Sequence, residues 1–134
     1  METKFESAIK VVRNSANAIY ERLADMRSLS SLIPPDKVKD FEATSDECSF
    51  TVDKIGRMGL KIVDRKENDF VKYGANGTVQ FNFNIWVQMK EVAAYDSRIK
   101  VTLKADLNPM MKMLVNKHLQ KFVDMMADAI AASA

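Results

Sequence analysis

Between Val38 and Asp106 the chain alternates polar and apolar residues with period two. At Asn108 that pattern stops, and a helical period takes over until about Ala132. This change of period constrains the fold more than any other feature. A long run of strands with one apolar face must be covered, and a long amphipathic helix must have something to cover. The period-two region divides into candidate strands at 38–44, 48–54, 58–64, 69–75, 79–90 and 97–106. Each gap has turn chemistry: Ser45-Asp46-Glu47, Gly56 with Gly59, Glu67-Asn68, Asn76-Gly77 and Ala94-Tyr95-Asp96. Gaps this short join sequential antiparallel strands. In the last two strands Val79, Phe81, Phe83, Ile85, Val87 and Met89 share one face, as do Ile99, Val101, Leu103 and Ala105.

The helix starts at a clear signal, with Asn108 as cap and Pro109 in the first helical position. It is roughly 36 Å long at about 1.5 Å per residue. Met111, Leu114, Val115, His118, Leu119, Phe122, Met126 and Ala129 form its apolar stripe, with Lys117, Gln120 and Asp124 opposite.

Ahead of the meander, residues 4–12 alternate with Phe5, Ser7, Ile9 and Val11 on one side, which predicts a first strand. Ser15 caps a helix to about Met26, with Ile19, Leu23 and Met26 on one face. A shorter helix or turn carrying Leu29, Leu32 and Ile33 ends at Pro34-Pro35. The expected architecture is α+β. A curved seven-stranded antiparallel sheet wraps a long C-terminal helix, with two short helices after the first strand. At 134 residues the expectation is one domain over 1–134.

Global features narrow the function. Lys plus Arg is 20 and Asp plus Glu 18; a net charge of +2 does not suggest nucleic-acid binding. No apolar run approaches ~18 residues, so no membrane span is expected. The N-terminal segment has no basic region followed by an apolar run, and no signal peptide is expected. Cys48 is the sole cysteine, which fits a reducing, cytoplasmic setting.

The order of elements over 4–132 resembles the START-related, birch-pollen-allergen-like superfamily. Its nearest branch is the small bacterial proteins grouped with polyketide cyclases and lipid-transport proteins. The resemblance rests on Lys4–Val12 followed by Ser15-Ala16, on Leu32-Ile33-Pro34-Pro35 and on Phe83–Lys90. It also rests on Lys100–Leu107 running into Asn108-Pro109-Met110-Met111. It implies a helix-grip fold with an internal pocket for hydrophobic or amphipathic small molecules. It does not fix an activity, because members of one fold do different work.

Individual residues bear on function as follows. His118, the only histidine, lies on the apolar stripe, where it can meet a ligand or be a core-margin residue bonded to backbone. Five of the nine methionines, Met110, Met111, Met113, Met125 and Met126, are in the last helix. Methionine adapts to varied apolar partners and also fills gaps in ordinary cores. Ser7 offers a hydroxyl on the apolar face or simply satisfies nearby backbone. Trp86 shares the polar face with Asn82, Asn84 and Gln88. There it marks a homodimer contact, unless a bulge turns it, with Asn84 or Gln88, inward. Lys100 and Lys104 read as a solvated outer face. Gly56-Arg57-Met58-Gly59 reads as a turn. No metal-ligand spacing or catalytic motif is present.

The expected function is therefore non-catalytic binding or transport of a hydrophobic small molecule, lipid-like or aromatic, between helix and sheet. The expected lining is Phe41, Phe50, Leu60, Ile62, Phe81, Phe83, Ile85, Val101, Leu103, Met111, Leu114, Val115, His118 and Phe122, with no cofactor and no metal. Two alternatives stand beside it. One is a cyclase- or hydratase-type enzyme using His118 with Ser7 or Tyr73. The other is a dimerising interaction module using Trp86.

Overall fold

The computed structural model describes residues 2–31, 38–77 and 81–133. The expected Leu32, Ile33, Pro34 and Pro35, and Val79, lie outside these. The elements are β1 (Glu2–Glu6), β2 (Lys10–Val12), α1 (Ala16–Leu23), a 3-10 helix (Met26–Ser31), β3 (Val38–Ala43), β4 (Glu47–Val52), β5 (Gly56–Lys66), β6 (Phe70–Ala75), β7 (Phe83–Ala93), β8 (Asp96–Asp106) and α2 (Pro109–Ala132). All pairings are antiparallel. The order across the curved sheet is β1-β8-β7-β6-β5-β4-β3, with β2 also on β8. This is the expected helix-grip α+β fold, with eight strand segments in seven positions among the described residues.

The extra segment has a specific cause. Glu6 pairs with Thr102 and Lys10 with Ile99, so four steps along the first strand match three along β8. One extra residue reverses which face each later side chain takes. Phe5 and Ser7 point inward as expected, but Ile9 and Val11 are 67% and 50% exposed, and Val12 is buried in their place. The Ser7 hydroxyl holds the break: it accepts from Val101 N–H at 2.9 Å and donates to the Ala8 carbonyl at 2.9 Å.

The first helix is capped as predicted, the Ser15 hydroxyl accepting from Ala18 N–H at 3.1 Å. The Glu91 carboxylate on β7 adds a long-range cap, accepting from Ala16 N–H at 2.7 Å. The α1 helix and the 3-10 helix close one end of the sheet through Ile19, Leu23, Met26 and Leu29, all buried. Tyr73 on β6 ties them down, its buried hydroxyl donating to the Leu23 carbonyl at 2.6 Å.

Gly56, at φ +104°, makes the β4–β5 turn as the sequence suggested. Gly59 does something else. It lies within β5 where the chain of Asn76 passes close, and a Cβ there would sit 2.1 Å from the Asn76 carbonyl oxygen.

The long helix begins as expected, Asn108 Oδ1 accepting from Met111 N–H at 2.8 Å. Its buried residues are Val115, Leu119, Phe122, Val123, Met126, Ala127 and Ile130. The buried face is thus turned from the expected stripe toward Val123, Ala127 and Ile130, and Leu114 is left 62% exposed. One flank is anchored on the first strands: Gln120 Nε2 donates to the Glu6 carbonyl at 2.9 Å, and Lys10 pairs with Asp128 at 2.9 Å.

Candidate functional site

The opposite flank of α2 faces the β4–β5 turn, and there the helix and sheet separate. The result is an open cleft of about 370 Å³ lined by Val52, Asp53 and Lys54 from the turn and by His118, Lys121, Phe122 and Met125 from the helix. The helical contributors are spaced i, i+3, i+4 and i+7, which places them on one side of two successive turns. Met111 and Leu114 continue this flank toward the helix start.

The cleft floor is set by aromatic stacking. The Phe122 ring lies 6.2 Å from the Phe50 ring at 20°, and Phe50 lies 6.1 Å from Phe41 at 12°. The three rings run from the helix across β4 to β3. Phe50 and Phe122 are buried and Phe41 half-buried. The rim is polar. His118 is half-buried, and Lys54 and Lys121 are exposed. Lys54 is held at φ +69° in the turn, in the left-handed region. Among the described residues, neither lysine nor His118 is held in an ion pair or side-chain hydrogen bond. The Asp53 carboxylate shares this rim with the two lysines. An apolar floor beneath a polar rim in which lysines outnumber the carboxylate suits a ligand with an apolar body and an electron-rich head.

The other expected lining residues divide by location. His118 and Phe122 line the cleft, while Phe50 is stacked behind Phe122 and Phe41 behind Phe50. Leu60, Ile85, Val101, Leu103 and Val115 are buried in the core between sheet and helix. Phe83 is buried with Phe81 against it, ring centroids 5.8 Å apart, and Ile62 is half-buried on β5. Met111 packs against the edge of the core. A second void, between β2, α1 and the end of α2, is about 10 Å³, room for about one water. Sequence reasoning did not pick out Val52, Asp53, Lys54, Lys121 or Met125 as lining. The last two were legible from their spacing to His118 and Phe122; the turn residues were not.

The remaining candidates resolve as follows. Both hydroxyls proposed to orient a substrate are engaged: Ser7 with the backbone of Ala8 and Val101, Tyr73 with Leu23. Burial pushes the Tyr73 phenol above its ordinary range, with a smaller contribution from Cys48. Cys48 is itself buried, and burial pushes its thiol up to about 12. Trp86 points outward, because the bulge in β7 lies between Glu91 and Ala93 and leaves its phase intact. Its ring is flanked by Lys72 Nζ at 4.9 Å and Lys104 Nζ at 5.4 Å from the centroid.

No family model and no curated protein matches the chain. Solved structures do. It is similar to norcoclaurine synthase from Thalictrum flavum, with a TM-score of 0.78 at 14% identity over 99% of this chain and 93% of that one. Another structure of that enzyme is in complex with dopamine and hydroxybenzaldehyde; it aligns with a TM-score of 0.75 at 13% identity over 99% of this chain and 86% of that one. A START superfamily protein from Mycobacterium smegmatis aligns with a TM-score of 0.68 at 13% identity over 99% of both chains. No helix among the described residues is long and apolar enough to cross a membrane. The fold is that of the START-related, birch-pollen-allergen-like proteins.

Proposed function

We propose that the chain binds or carries a hydrophobic small molecule with a polar, electron-rich head in the cleft between α2 and the β4–β5 turn. One observation carries this reading: the cleft has an apolar floor of Val52, Phe122 and Met125 beneath a polar rim of Asp53, Lys54, His118 and Lys121. Its volume is within the ordinary range for small-molecule sites, roughly 300–1,000 Å³. Covering ~100 Å² of apolar ligand surface contributes only about 2.5 kcal/mol. The polar rim, with its two lysines, therefore matters to affinity as well as to orientation. The norcoclaurine synthase complex supports the reading to the extent that a protein of this fold takes up small aromatic molecules.

Binding is favoured over catalysis of the cyclase or hydratase kind. That chemistry would fall to His118 without the Ser7 or Tyr73 hydroxyl, since both are committed to backbone. A cytoplasmic setting goes with this reading, Cys48 being the one thiol.

Native mass spectrometry of freshly purified protein, followed by denaturing extraction, tests the proposal. The expected result is a reproducible bound mass that disappears in Phe122→Ala and weakens in Lys121→Ala. A co-purified mass retained in both variants would place the ligand elsewhere and contradict the cleft assignment.

A further inference from the structure

Among the described residues, nothing covers the outward side of the first turn and a half of α2. Burial along the helix begins only at Val115. Before it, Met110 is 72% exposed, Met113 87% and Leu114 62%. At about 100° per residue these three share one outward stripe that continues through Lys117 and Lys121 to Asp124 and Asp128. The stripe is sorted along the helix axis: apolar, then basic, then acidic. No acidic residue occurs from Leu107 to Val123. At ~1.5 Å per residue the basic pair begins about 6 Å beyond Met113, and Asp128 stands about 22 Å away.

We propose that this end of α2 docks on a bilayer surface containing anionic phospholipid. The sorting matches a layered medium. Met110, Met113 and Leu114 enter the boundary between acyl chains and headgroups, while Lys117 and Lys121 lie at phosphate level. Asp124 favours a tilted approach with the start of the helix down, since a flat helix would press its carboxylate into anionic headgroups; Asp128 is already paired with Lys10. A second copy of the chain is a poorer occupant. A two-fold contact centred on Met113 would leave Lys117 and Lys121 without an acidic partner, because the stripe carries no carboxylate before Asp124. This surface is separate from the ligand reading and stands or falls without a molecule in the cleft, although Lys121 borders both.

Co-sedimentation with vesicles tests it, using phosphatidylcholine alone or with ~30% phosphatidylglycerol. The bound fraction is expected to rise about tenfold or more with the anionic lipid and to collapse in ~0.5 M salt, where the Debye length is only a few Å. Met113→Glu and Lys117→Glu are each expected to lower binding at least ~5-fold. Both positions are exposed, and unchanged circular dichroism and melting confirm that each variant folds. Lys90→Glu and Tyr95→Asn, toward the β7–β8 hairpin, serve as matched controls and are expected to bind normally. Three results would each overturn the proposal: no binding to the anionic vesicles at low salt, equal binding to both vesicle types, or full binding by Met113→Glu. A concentration-dependent dimer that Met113→Glu dissolves, with protein left in the supernatant, would assign the patch to a second copy instead.

Discussion

The ring of Phe50, on β4, lies against the ring of Phe122, on α2, with centroids 6.2 Å apart and planes 20° from parallel. This stack joins the sheet to the helix where the two begin to part, and Phe122 also lines the cleft. Truncating either ring removes a large buried surface, but the consequences differ. Phe50→Ala leaves a hole inside the core and is expected to cost about 3–5 kcal/mol in a denaturant titration. Phe122→Ala opens its hole into the cleft, where water or ligand can fill it. It is expected to cost less than Phe50→Ala while changing ligand uptake. Equal losses in the two variants would contradict this placement of Phe122.

Tyr73 is the pin between the sheet and the N-terminal helices. Tyr73→Phe keeps the ring and leaves the buried Leu23 carbonyl without its donor. The expected destabilisation is about 1–3 kcal/mol by urea unfolding, with little change in the circular dichroism spectrum. A neutral substitution would mean that this hydroxyl contributes nothing to docking α1.

Gly59 is required for space rather than for turn geometry. Any Cβ there meets the Asn76 carbonyl oxygen at 2.1 Å, and backbone must move to relieve it. Gly59→Ala is expected to cost about 1–3 kcal/mol, as overpacking does. Gly77 is the opposite case. A Cβ added there would meet nothing within 4 Å, but its φ is +71°, so it is expected to tolerate Asn better than Ala.

Glu6 sets an acid limb. Hydrogen bonds from Lys100 and then Lys4 hold its carboxyl down at about 2, against an ordinary 4.5. A carboxyl depressed in the folded state favours folding most fully above its unfolded pKa. Its contribution is therefore present above about pH 4.5 and fades as pH falls toward 2. Glu6→Gln is expected to flatten the dependence of the urea midpoint on pH across that window. Solvent exposure and salt keep the effect small. A slope unchanged by the substitution would remove Glu6 from the acid response.

Cys48 reports on the opening of β4 and β5. It pairs opposite Leu60, is buried, and has its thiol pushed up to about 12 by burial. Labelling with a thiol reagent at neutral pH is expected to be slow in native protein and to accelerate with urea in parallel with unfolding. Rapid labelling of the native protein would show that this edge of the sheet opens locally.

The sequence made the fold legible because its two periods are long and its caps are strong. Asn108-Pro109 and Ser15 both cap where expected. What escaped were the single-residue irregularities. Nothing in the alternation of 4–12 shows the extra residue between Glu6 and Lys10, yet it reverses Ile9, Val11 and Val12. A helical wheel also gives a stripe but not its edges. Leu114 and Val123 lie on either side of the expected face, and only the position of β1 and β2 under Gln120 decides which one is buried. The cleft was half legible for the same reason. His118 and Phe122 follow from helical spacing, whereas Val52, Asp53 and Lys54 come from a turn whose approach to α2 is a tertiary result.

The most direct measurement uses the methionines as reporters. Protein labelled with ¹³C at its methionine methyls is titrated with a short-chain fatty acid, and with the matching alcohol as a neutral comparison, below micelle concentration. A saturable shift of Met125, which lines the cleft, is expected, with Met58 in the core unmoved. The shift should saturate at lower concentration for the acid than for the alcohol. A Met125 signal unmoved by either ligand, while other methyls respond, would contradict the assignment of the binding site to this cleft.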